Sequence, residues 1–282
     1  MSSPRPGRTV DVDVLAFEAD SATRKSDAVV TEEPLEIRLA GGGKTQTLAV
    51  TMRTPGSDFE LAAGFIFSEG IAGSLERIAG ITYCVDPAVE DAQRYNIVNV
   101  ELHGELPELA RFERHFTINS SCGVCGRAQL DSLHDLGVAP IADEVRIAPE
   151  TLYALPQRMR EAQRIFESTG GLHAAALFDE RGGAVAVRED VGRHNALDKL
   201  VGWGLMNGKL PFARSILVVS GRASYEIVQK SVVAGIPIVA SVSAPSSLAV
   251  DLAREFNLTL AGFLRDQRAN VYSAAERIAR PR

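Results

Sequence analysis

SILVVSGRASYEIVQKSVVAGIPIVASVSAPSSLAVDLAREFNLTLAGFLR, residues 215–265, is the stretch whose rhythm decides the fold. Its runs SILVVS, IPIVASV and LTLAGF are apolar at almost every position, which suits strands of a parallel sheet covered on both faces by helices. Residues 224–233 and 246–256 between them read as helices, each opened by a serine. Alternating β and α elements make a three-layer α/β domain. Upstream, LHAAALF (172–178) and AVAVRE (184–189) read as two paired strands joined by DERGG, followed by a helix over about 191–206. A helical stretch from Pro149 toward Ser168 is expected to kink or break at Pro156, because proline removes a backbone donor. A short terminal helix follows LTLAGF.

Further upstream the pattern changes. LEIRL, GGGKTQ and TLAVTM (35–52) read as a hairpin around a glycine-rich turn. Ser57 and Glu60 have capping-box spacing ahead of the apolar FELAAGFIF. YNIVNVEL (95–102) alternates as a strand. The expected class is therefore α/β within an α+β chain. Residues 1–28 form a flexible tail with at most one edge strand, 29–140 a strand-rich subdomain, and 141–282 the α/β domain, with a soft boundary at about 135–150.

Length and composition bound the function classes. The 282 residues carry 45% hydrophobic and 23% charged side chains, an ordinary globular balance. The formal net charge of −6 argues against a nucleic-acid binder. No apolar run reaches the roughly 18 residues of a membrane helix, and the first residues lack the apolar stretch of a secretory signal. A cytoplasmic location with no membrane contact is expected. Three cysteines are too few, and odd in number, for a disulfide framework.

Cys122 and Cys125 lie in INSSCGVCGRAQ (118–129), a small, glycine-punctuated loop. Thiolates are the reactive form of cysteine. Gly123, Gly126, Ser120, Ser121 and Arg127 supply donors and positive charge that favour one. Cys125 is spaced to attack anything bound on Cys122. Two other readings stay open. The pair could hold zinc in a zinc-stapled binding module, although His103 and His115 are the nearest further ligands and their spacing is poor. His103-Gly104-Glu105 ahead of Cys-x-x-Cys also has a partial likeness to the zinc deaminase signature, in which proline, not Ser121, precedes the first cysteine.

In open α/β sheets ligands bind beyond the carboxyl ends of the parallel strands. Ser220-Gly221-Arg222-Ala223-Ser224, Ser243–Ser247 and Leu264–Arg268 occupy such ends, and Asp190–Asn195 opens another helix. Helix N-termini and the guanidinium groups of Arg222, Arg265 and Arg268 suit phosphates. Asp266 has the chemistry to accept the paired N–H donors of guanine. The plainer reading makes Ser224 and Ser246 helix caps and the arginines solvated. Likewise His173 and Trp203 read as core, and Asp198 and Lys199 as a solvated helix face. No G-x-G-x-x-G or Walker A loop is present.

SSCGVCG (120–126), TGGLHAAALF (169–178), EDVGRHNALDKLVG (189–202), SGRASYEIVQK (220–230), SAPSSLAVDLA (243–253) and GFLRDQRANVY (262–272) occur in this order. Together they resemble the formate dehydrogenase accessory sulfurtransferases of the FdhD/NarQ type, over about Leu35 to Ile278. The resemblance implies a sulfurtransferase that takes sulfur from a cysteine desulfurase as a persulfide on Cys122, with Cys125 as second thiol. It further implies delivery to the molybdenum bis(molybdopterin guanine dinucleotide) cofactor needed by formate dehydrogenase, a homodimer, and a carboxy-terminal half similar to the cytidine-deaminase fold. The family's cofactor-contacting segment falls on Phe263, Leu264, Arg265, Asp266, Gln267 and Arg268. Ser220 and Arg222, at the neighbouring strand end, join them as expected cofactor contacts.

Overall fold

The computed structural model describes residues 7–108, 133–134, 137–142 and 145–279. Cys122, Cys125 and His115 lie outside the described residues. The chain opens with a two-stranded antiparallel ribbon, β1 (Thr9–Glu18) and β2 (Ser21–Val30). This corrects the expectation of a tail with one edge strand.

β3 (Glu33–Gly41), β4 (Lys44–Arg53), β5 (Ile78–Tyr83) and β6 (Ile97–Leu102) form a four-stranded sheet in the order β4-β3-β6-β5. A single turn, α2 (Asp91–Arg94), precedes β6. Alternation along β3 points Leu35, Ile37 and Leu39 to one face. There they meet Leu61, Ala62 and Ile66 of α1 (Asp58–Ser68). Each such fully buried aliphatic side chain contributes about 1.5–3 kcal/mol. Ser57 sits at the N-cap of α1 but in left-handed backbone and makes no cap bond. Glu60 instead reaches Arg188, at 2.7 Å, so the capping box does not form.

The second half contains α3 (Pro149–Ala162), α4 (Arg164–Thr169), β7 (His173–Asp179), β8 (Ala184–Asp190), α5 (Arg193–Met206), β9 (Ser215–Val219), α6 (Tyr225–Val233), β10 (Ile238–Ser241), α7 (Ser247–Glu255), β11 (Thr259–Arg265) and β12 (Arg268–Ser273). Its sheet runs β12-β11-β10-β9-β7-β8. Only β9, β10 and β11 are mutually parallel neighbours, while β7 and β12 run antiparallel to theirs. The sheet is therefore mixed, not wholly parallel. Residues alternate between faces as the pleat requires. Leu217 and Val219 pack with α5, α6 and α7, whereas Ile216 and Val218 pack under Leu152, Leu155 and Met159 of α3. Three layers result, as the sequence predicts.

α3 passes through Pro156 unbroken, because buried Leu152, Leu155 and Met159 hold both sides of it. The break falls at Gln163, whose φ/ψ of −84°/80° leaves the helical region.

α1 joins the two halves by packing on α5 with the backbones in contact. A Cβ on Gly64 would fall 1.9 Å from the Asp198 carbonyl, and one on Gly202 would fall 1.8 Å from that of Glu60. Buried polar groups bind the same seam. Lys199 Nζ donates to the Thr54 carbonyl at 2.9 Å and pairs with Asp190 at 2.6 Å. Asp198, one residue before, pairs with Lys230 at 2.8 Å. Neither residue belongs to a solvated face: Asp198 is 1% and Lys199 2% exposed.

Candidate functional site

β8, β9, β10 and β11 all end at one edge of the sheet, and antiparallel β7 begins there with His173. The loops at this edge are tied to one another. Ser241 Oγ donates to the Gly221 carbonyl at 2.7 Å, Ala223 bridges Pro245, and Phe263 N donates to the Ser243 carbonyl at 3.1 Å. Such ties fix the positions of loop side chains relative to the strands beneath.

A cleft of about 610 Å³ opens beside them, lined by Arg160, Gln163, Phe166, His173, Ser220 and Val242 among others. Residues on both sides of the helix break at Gln163 line it, Arg160 from α3 and Phe166 from α4. The Arg160 guanidinium lies 4.2 Å from the centre of the Phe166 ring. Ser220 Oγ accepts from Ala174 N at 2.9 Å, so its own proton remains to be donated. Gln163 is only 2% exposed, and among the described residues its Nε2 has no hydrogen-bond partner. A buried donor left unmade costs about 1–3 kcal/mol, which marks this amide as suited to an acceptor from outside the chain. Burial first, then the charges of Arg193 and His194, hold the His173 imidazole below its ordinary pKa. His173 is half-buried on this cleft, not a core histidine.

The strand β12 was not expected, and it changes the shape of 263–268. Asp266 and Gln267, with φ of 49° and 58°, form the tip of a hairpin joining β11 to β12. Two consecutive left-handed residues are the signature of the tight turn that matches strand twist. Phe263, also at positive φ (54°), lies in a register irregularity between Gly262 and Arg265. Arg265, Asp266, Gln267 and Arg268 are exposed, as is Arg222. The Leu264 side chain is fully buried in the core under α3, so it serves the fold. Of the residues expected to bind a cofactor, Ser220 lines the cleft, while Phe263 is fastened to the neighbouring loop.

The α5 N-terminus is not open to a phosphate. Asp190 Oδ1 accepts from Gly192 N at 2.8 Å and from Asn195 Nδ2 at 3.1 Å, placing a carboxylate where an anion was expected. Ser246 does cap α7, accepting from Ala249 N at 3.3 Å, but Ser224 caps nothing. Sequence reasoning missed Arg160, Gln163 and Phe166. They lie in a stretch read as helix with its kink or break at Pro156, and no motif marks them.

His103 is exposed at the end of β6, its N–H donating to the Arg77 carbonyl. Among the described residues no group of three or more His, Cys, Asp or Glu side chains is placed to share a metal ion. Nor, among them, is any helix long and apolar enough to cross a membrane.

A strand-rich unit fused through α1 to a mixed α/β sheet, with a cleft at the strand ends, defines one class of protein: the chain belongs to the FdhD/NarQ family, whose model matches residues 30–279. The resemblance read from the motifs is thereby borne out. The chain is similar to the protein named sulfur carrier protein FdhD in Streptomyces coelicolor, with 53% identity over 94% of each chain. It is 47% identical to that of Mycobacterium tuberculosis and 42% to that of Saccharolobus solfataricus, each over 94% of this chain and 96% of the relative. Its fold matches a crystal structure from Desulfotalea psychrophila, assigned as a formate dehydrogenase accessory protein. The TM-score is 0.74 at 25% identity, over 97% of this chain and all of that one.

Proposed function

We propose that this chain, like the relatives named sulfur carriers, takes sulfur from a cysteine desulfurase as a persulfide on Cys122. It delivers that sulfur to the molybdenum bis-guanine-dinucleotide cofactor used by formate dehydrogenase. In loading, the Cys122 thiolate attacks the terminal sulfur of the donor's persulfide, and the donor's thiolate leaves. In delivery, Cys125 attacks Cys122 Sγ, forming a Cys122–Cys125 disulfide and releasing the outer sulfur as hydrosulfide, a soft anion suited to molybdenum. Two equivalents of an external thiol then restore both cysteines and leave as their own disulfide.

The observation that carries the cofactor part is the strand-end cleft with its unpartnered, buried Gln163 amide. That group and the Phe166–Arg160 wall suit a planar, carbonyl-bearing base. Arg222, Arg265 and Arg268, exposed at the ends of β9 and β11 and the start of β12, suit the phosphates, and the cofactor would act here as substrate. Calorimetric titration with GDP tests this. GDP should bind, ADP should bind at least about tenfold more weakly, and either Gln163→Leu or Arg265→Ala with Arg268→Ala should weaken GDP by about tenfold or more, roughly one good polar contact. GDP affinity equal to that of ADP and unmoved by these changes would remove the cleft from the mechanism.

A further inference from the structure

A second constellation lies at the α6 N-terminus, in a cavity of about 480 Å³ lined by residues of both halves of the chain. His194, in the first turn of α5, stands between Ser224 and Glu226. Its Nε2 is 3.1 Å from Ser224 Oγ and its Nδ1 is 3.0 Å from Glu226 Oε2. The protons can be assigned by chemistry. His194 and Lys230 outweigh the effect of burial on Glu226 and hold it ionised, its pKa lowered to about 2. An ionised carboxylate only accepts, so Nδ1 carries the hydrogen. In the neutral ring that leaves Nε2 free to accept from Ser224 Oγ–H.

Ser224 occupies the N-cap of α6, where a serine hydroxyl ordinarily accepts from the helix. Here it makes no cap bond and turns toward His194. His194 and Glu226 remain reachable, at 27% and 38% exposure of their side chains. Thr51, Phe65 and Asn195 complete the wall. Nucleophile, base and orienting carboxylate thus meet on one small cavity.

We propose that Ser224, His194 and Glu226 form a second, acyl-transfer site that hydrolyses small neutral esters. Ser224 Oγ attacks the ester carbonyl as its proton passes to His194 Nε2. The acyl carbon–oxygen bond then breaks, and His194 returns the proton to the departing alcohol. Water, deprotonated by His194, releases the acid and regenerates Ser224. Glu226 keeps the imidazole in the tautomer this requires. The carboxylates of Glu69, Asp198 and Glu226 around the cavity disfavour anionic substrates. The site does not depend on the sulfur-carrier reading.

Diisopropyl fluorophosphate tests it, on the full chain carrying Cys122→Ala and Cys125→Ala so that reactive thiols cannot answer for the serine. Attack forms an Oγ–phosphorus bond, breaks phosphorus–fluorine and sends the proton to His194. One adduct should appear on the tryptic peptide 223–230. Adding His194→Gln should slow its formation at least about a hundredfold, as loss of a general base does. Hydrolysis of p-nitrophenyl acetate should disappear with Ser224→Ala, which removes no cap bond and only the half-buried bond to His194, and so should lower the midpoint of thermal unfolding by no more than about 4 °C. Absence of an adduct on the folded protein, or labelling as fast with His194→Gln as without it, would overturn the proposal.

Discussion

Lys230 has no exposed surface, and its ammonium lies 2.8 Å from Asp198, 3.5 Å from Glu226 and 3.7 Å from Glu69. Burial works against its charge, but the three carboxylates outweigh it and hold the amine protonated. Burial dominates at Asp198, raising its pKa to about 6 despite Lys230. Removing one partner of a buried pair leaves the other charge uncompensated, at about 3–5 kcal/mol. Lys230→Met should therefore cost about that much in urea unfolding, and a loss below about 1 kcal/mol would contradict the pairing. None of this was legible in DKL (198–200), which reads as an exposed helix face. The partner is 32 residues away, on another helix, and α1 covers both only after folding. His173 was misread for a related reason. Its apolar neighbours do serve the core, while its own ring faces the cleft. With a folded pKa below the ordinary 6.5, His173 refuses a proton that the unfolded chain accepts. Stability should then fall as pH drops from 6.5 through the folded value, and level off below it. His173→Gln should flatten that part of a stability–pH profile, and an unchanged slope would show that another group sets it.

At the scale of elements, the seam between α1 and α5 matters most. Helix propensity alone favours alanine over glycine by about 1 kcal/mol. A methyl on Gly202 would fall inside contact distance of the Glu60 carbonyl, forcing the helices apart at about 1–3 kcal/mol or more. Gly202→Ala should thus lower the midpoint of thermal unfolding, and a stabilised variant would contradict backbone contact at this seam. Elements buried on both faces, β9, β10 and β11, were legible because their apolar runs have no other use. Ribbon β1–β2 and strand β12 were not. SATRKSDAVV is mostly exposed and RANVYS buries only Ser273, so their pairing is specified by backbone bonds and turn geometry, which leave a weak pattern. The break at Gln163 escaped notice for the opposite reason: Pro156 was the obvious breaker, yet core contacts on either side hold the helix across it.

Across the whole molecule, four strands end and two begin at a single edge, and a cleft opens there beside the helix break. Strand order and direction made the edge legible, since any αβ alternation delivers its loops there. The cleft was not, because Arg160, Gln163 and Phe166 reach it only after α3 and α4 fold over β7. The cysteines read as reactive through their glycine, serine and arginine neighbours in one loop, which lies outside the described residues. The central claim concerns one atom, Cys122 Sγ. The measurement that tests it most directly is the intact mass of the full chain after incubation with a cysteine desulfurase and cysteine, read with and without reductant and followed by digestion. The expected result is a gain of one sulfur, lost on reduction, on the peptide holding Cys122, absent in Cys122→Ala and retained in Cys125→Ala. Sulfur loading that survives in Cys122→Ala, or no loading of the unaltered chain, would contradict it.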